Sequence, residues 1–190
     1  MTLAEIRSTP RMIQDRLRQA AAWRLNGLLL ERPRAGWIED VEALAREVAD
    51  AGLGAAAQAA RAATEGEYLS LLGPGGAASP REVAYRTMED PSRLLADLSA
   101  WYEAFAYRPR AEDPPDHLAV EAGFVGYLLL KEALALSAGD QEAAETTAEA
   151  RARFLEERLA PFIEGLAGRL EGTGGHLELA ARALRSRVIS

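Results

Sequence analysis

Cysteine is absent from the 190 residues of this chain. Disulfides, thiolate metal sites and cysteine nucleophiles are therefore excluded. Lysine occurs once, at Lys131, so arginine supplies nearly all of the 22 basic residues; we read this as a GC-rich coding bias rather than a site. Histidine occurs twice, at His117 and His176. His117 and Glu121 are four apart and share a helix face. Two such ligands do not close a catalytic zinc site, which needs three, so neither metal nor cofactor is expected. No G-x-S-x-G stretch marks a serine nucleophile. The glycine-rich run "GPGG", residues 73–76, lacks the lysine and hydroxyl of a phosphate loop and reads as a turn. Nothing calls for catalysis.

Long apolar runs are missing as well. The longest uncharged one in the middle of the chain, "AGFVGYLLL" at 122–130, is far short of the roughly 20 residues that span a bilayer. The first residues, "MTLAEIRSTPR", have no apolar core and do not read as a secretory signal. With a net charge of −7 the chain is a poor default binder of nucleic acid, which needs a basic face. A soluble, cytoplasmic protein without stable membrane insertion is expected.

What is present is helical rhythm, with no alternating β-branched segment. We expect an all-α fold: a single-domain helical bundle of about eight or more helices over residues 1–190. Thr9-Pro10 reads as the start of the first helix, which Pro33 stops. Helices follow at about 38–51 and 55–72, the latter with a break near Gly66. Ser79-Pro80-Arg81-Glu82 has capping-box spacing. Asp90-Pro91 starts a helix carrying Leu94, Leu98, Trp101, Tyr102 and Phe105. A strongly apolar helix spans about 116–137. Asp140 caps the next, to about Leu159, with Pro161 as a kink, and the last runs from about Leu177 to Val188.

The stretch "EDPPDHLAVE", residues 112–121, stands out: four acids, two prolines, one histidine, and neither Lys nor Arg. Pro115 and Asp116 suit a helix N-terminus, where N–H groups are orphaned and the dipole favours carboxylates. Glu121 is different. Three of its four helical neighbours, Leu118, Phe124 and Val125, are apolar. A carboxylate on such a face must find a partner or is costly to bury. His117 is one partner and an arginine from another helix is a second. The pair either fixes two helices or lines a groove.

At these residues the sequence resembles the TorD/DmsD/NarJ family of cytoplasmic chaperones for molybdenum-containing oxidoreductases. The run "PPDHLAVEAGFVGYL", residues 114–128, is similar to the family's Pro-Asp-His-Leu signature followed by Glu and Phe. "AWYEAFAY", "EYLSLLGPGGAASPREVAY" and "FLEERLAPFIEGL" resemble its flanking segments in the same order, with Arg158 where His is common. The resemblance implies a redox enzyme maturation protein, monomeric or a domain-swapped homodimer. Its partner would be a molybdoenzyme catalytic subunit, bound through its N-terminal, often twin-arginine, signal peptide until the cofactor is inserted. Asp116, His117 and Glu121 carry over as binding positions, with Trp101, Tyr102, Phe105 and Phe124 as apolar partners. Carboxylates bind guanidinium groups bidentately. Glu112, Asp113 and Asp116 are thus expected to face the client's arginines, while Glu121 orders His117 from behind. The competing readings are a helical enzyme or small-ligand carrier with His117 as acid–base group, and a structural adaptor whose acidic loop is only a solvated cap.

Overall fold

The computed structural model describes residues 3–109 and 113–189. Among these, nine α-helices form one bundle and no strand occurs. The first is α1 (Leu3–Leu29), then α2 (Trp37–Ala45), α3 (Ala51–Ala60), α4 (Glu65–Leu72) and α5 (Pro91–Ala104). They are followed by α6 (Leu118–Ala138), α7 (Gln141–Phe154), α8 (Ala160–Leu170) and α9 (Gly175–Val188). The all-α bundle is the fold class expected from the sequence. No helix among the described residues is long and apolar enough to cross a membrane.

The central element is α6. Apolar residues surround it almost completely, and a helix that is apolar on all sides has to be buried. Leu118, Val120, Ala122, Phe124, Val125, Leu128 and Leu129 are all shielded from solvent. On one side α1 lies along α6; on another lies α7; α9 packs on α3 and α8. Small residues let α1 come close. A Cβ on Gly27 would stand 3.1 Å from the Ala119 carbonyl oxygen, and one on Gly126 3.3 Å from that of Ala20. Buried Glu132 joins three helices by pairing with Arg16 of α1 and Arg151 of α7. At its end α6 stops on left-handed Gly139, and Asp140 caps α7 through the Ala143 N–H.

Several boundaries differ from the sequence reading. α1 runs through Thr9 and carries Pro10 inside it rather than starting there. The second helix ends at Ala45, and Asp50 caps a new one through the Leu53 N–H, so Gly52 opens α3 instead of ending α2. The next break falls before Glu65, where Thr64 accepts from the Glu67 N–H, and not at Gly66. Glu82 makes no capping box with Ser79; its side chain turns into the core. The cap of α6 is His117, one residue after the expected Asp116.

Between α7 and α8, residues Leu155–Leu159 form a π turn. Pro161 explains it. Proline has no N–H for the carbonyl four residues back, so the Glu157 carbonyl loses its helical partner. Arg86 Nη2 donates to that oxygen instead.

Candidate functional site

The site region is built by two backbone crossings. The segment 79–82 is stitched to 116–118: Glu82 N–H donates to the Asp116 carbonyl at 2.9 Å, and Leu118 N–H donates to the Pro80 carbonyl at 2.8 Å. Tyr102 Oη donates to the Pro115 carbonyl at 2.7 Å. The Pro-Asp-His-Leu segment is therefore clamped between the loop before α5 and α5 itself.

Asp116 is fully buried. Arg81 grips its Oδ1 with Nε at 2.8 Å and Nη2 at 2.6 Å. The side chain points into the protein, not toward a client, because an arginine that the sequence reading did not connect to it neutralises it. His117 is also buried. Its Nδ1 accepts from the Ala119 N–H at 3.2 Å, which caps α6, and its Nε2 lies 3.1 Å from Tyr68 Oη. Asp113 lies 3.8 Å from Nδ1. Burial pushes the His117 pKa down, and the neighbouring carboxylates offset this only in part. The ring is neutral, with Nδ1 as acceptor and Nε2–H directed to Tyr68.

Glu121 does not order His117. It is fully buried, and neither carboxyl oxygen has a hydrogen-bond partner. The arginine that could have answered it, Arg158, pairs at 2.9 Å with another buried carboxylate, Glu82. Glu82 also takes Arg86 at 3.0 Å. Burial, and then the charge of Glu82, raise the Glu121 pKa well above the usual carboxylate range. These surroundings favour the protonated form of Glu121. The sequence correctly put Glu121 on an interior face; it did not show that Glu82 takes its arginines.

The aromatic residues split between core and surface. Phe124 is fully buried, and Tyr102 nearly so. They meet edge-on at 5.0 Å, and Phe124 continues to Phe154 at 4.9 Å. Neither offers a free face to a client, contrary to expectation. Trp101 and Phe105 are half-buried and line a shallow groove of about 540 Å³ between α5 and the π turn. Arg153 already lies over Trp101, 5.6 Å from the ring centre.

The larger opening is a cleft of about 1410 Å³ between α1 and α6. Ala20, Ala21 and Val120 belong to its floor, Leu17, Tyr127 and Leu130 lie toward one end, and charged Arg24, Glu31, Arg32, Arg34 and Glu65 lie toward the other. Asp113 and Tyr107 stand on the loop that walls it. Leu17 and Leu130 are about four-tenths exposed, a large apolar exposure for side chains facing a concavity. Of the acids expected at the client's arginines, Asp113 alone is placed at this cleft; Glu112 lies outside the described residues. Leu17, Leu130 and Tyr107 were not picked out from the sequence. In a strip of helix, an apolar residue that faces a cleft reads the same as one that faces the core.

The described residues thus combine an all-helical scaffold with a cleft that has an apolar and a charged end. Residues 34–167 match the family described as the nitrate reductase delta subunit. The chain belongs to that family, in agreement with the resemblance read from residues 114–128. It is 34% identical over 119 residues to the chlorate reductase assembly chaperone protein of Ideonella dechloratans. That match covers 60% of this chain, and the chain spans the same share, 60%, of that relative. The fold is similar to a crystal structure from Archaeoglobus fulgidus described as a redox enzyme maturation protein. The TM-score is 0.58 at 18% identity, over 90% of this chain and 94% of that one.

Proposed function

We propose that this protein is an assembly chaperone in the cytoplasm for the catalytic subunit of a molybdenum-containing oxidoreductase, with no catalysis of its own. It binds the N-terminal segment of that subunit, of the twin-arginine signal type, and holds the subunit while the cofactor is inserted, before export. The observation that carries the reading is the α1–α6 cleft. Its size fits a peptide rather than a metabolite, its apolar end with Leu17 and Leu130 suits the hydrophobic part of a signal segment, and its charged end suits the polar part. Membership of the family supports the same direction, as does the name of the Ideonella relative.

His117 as an acid–base group has little support, because the ring is buried, neutral and engaged at both nitrogens. Asp116 and His117 act instead by fixing the clamped segment next to Asp113, which lines the cleft.

The test is affinity capture from the native cytoplasm followed by mass spectrometry, with wild type beside Leu130→Glu. A molybdoenzyme large subunit should be recovered with the wild type and lost with Leu130→Glu. Equal recovery by both would move the client away from the cleft. Repeated failure of the wild type, in cells expressing such an enzyme, would refute the chaperone reading.

A further inference from the structure

We propose that Gly123 and Tyr107 form a seat that fixes the loop wall of the α1–α6 cleft and so positions the residues that meet the bound segment. The functional part of this rests on the cleft being the client site.

The wall begins where α5 ends. Ala106 has φ 56°, the left-handed region that a side chain adopts at a cost. Strain of this kind persists only where the surroundings hold it. Here Lys131 Nζ and Tyr127 Oη each donate to the Phe105 carbonyl at 3.1 Å, and Tyr107 N–H donates to the Tyr102 carbonyl at 2.8 Å. The Tyr107 ring then packs 5.2 Å from Tyr102, 5.3 Å from Phe124 and 5.2 Å from Tyr127. Its hydroxyl donates to the Val120 carbonyl at 3.3 Å.

That hydroxyl rests on Gly123. A Cβ at Gly123 would stand 2.7 Å from Tyr107 Oη, closer than real contacts allow. A free tyrosine could swing aside. This one is wedged among three aromatic rings, so it can yield only by shifting the wall. The wall carries Arg108, Pro109 and Asp113, all of which line the cleft. The seat thus links a bare position in α6 to charges on the cleft's rim.

The expectation has an unusual sign. In a helix interior, alanine is ordinarily more stable than glycine. Gly123→Ala should instead melt below the wild type and speed amide hydrogen exchange over residues 105–108. It should weaken binding of a fluorescein-labelled synthetic twin-arginine signal peptide by about tenfold, within the range of coupled contacts. Tyr107→Phe removes the atom that collides. Combined with Gly123→Ala it should bring melting, exchange and affinity back to those of Tyr107→Phe alone. The proposal is overturned if Gly123→Ala melts higher with unchanged exchange, or if Tyr107→Phe fails to rescue it. If the wild type does not bind the peptide, the cleft reading fails, while melting and exchange still decide the seat.

Discussion

Glu121 gives the sharpest test of the physical account. Its carboxyl group is fully buried with both oxygens unpaired, and burial and then Glu82 disfavour its charged form. An unsatisfied buried polar group costs about 1–3 kcal/mol. Glu121→Met keeps the length of the side chain and removes that cost. For a chain of this size each kcal/mol is worth roughly 2–4 °C, so the melting temperature should rise by about 2–12 °C. The pH dependence is fixed by sign. The folded-state pKa is raised, so the folded protein binds more protons than the unfolded chain between the ordinary carboxylate value of 4.5 and the raised value. Stability contributed by Glu121 therefore declines as pH rises through that window. The advantage of Glu121→Met should be larger at pH 8 than at pH 5. Glu121→Gln separates the two contributions, because it keeps the unpaired polar group and removes only the ionisation. The assay is thermal unfolding by circular dichroism at both pH values. If Glu121→Met melts lower than wild type at pH 8, or its advantage is independent of pH, the carboxyl has a partner and the reasoning fails.

Asp116→Asn should lower stability by roughly 2–3 kcal/mol, since it strips a buried carboxylate from the half-exposed Arg81; an unchanged midpoint in urea would contradict the inward orientation of Asp116. Because burial lowers the His117 pKa, the folded state resists its protonation, and stability should fall as pH drops below the ordinary imidazole value of 6.5. His117→Asn, which retains a cap acceptor, should flatten that part of the profile, measured by chemical unfolding from pH 7 to pH 5. Leu130→Glu, at a four-tenths exposed position, should leave stability within about 0.5 kcal/mol while abolishing client capture.

The parts of this fold that were legible in sequence are those with local causes. Asp90-Pro91 and Asp140 cap helices where side-chain chemistry says they should. Apolar neighbours placed Glu121 inside. What was illegible depends on separate segments meeting. Asp116 reads as a free acid until Arg81 is seen to reach it across the stitched loops. Glu82 reads as a helix cap until Arg86 and Arg158 close on it. His117 was missed as a cap because imidazole is an uncommon choice there, and its use depends on Tyr68 of α4 holding the other nitrogen. The split of the aromatic residues between core and groove was hidden for a similar reason: a run such as "AWYEAFAY" does not disclose which helix face another helix covers.

The π turn at Leu155–Leu159 sets the phase of everything after it. A π turn carries one residue more than the α-helical turn it replaces, and each residue rotates a helix by about 100°. Phe162, Ile163, Leu166 and Leu170 lie in the core because that extra residue turns α8 to face it. Deleting Glu156, an exposed residue, would tidy the helix into an unbroken α rod and rotate this apolar stripe toward solvent. The irregularity works as a phase shifter, and it ties the register of α8 and α9 to a proline and to the arginine that answers the carbonyl the proline leaves behind.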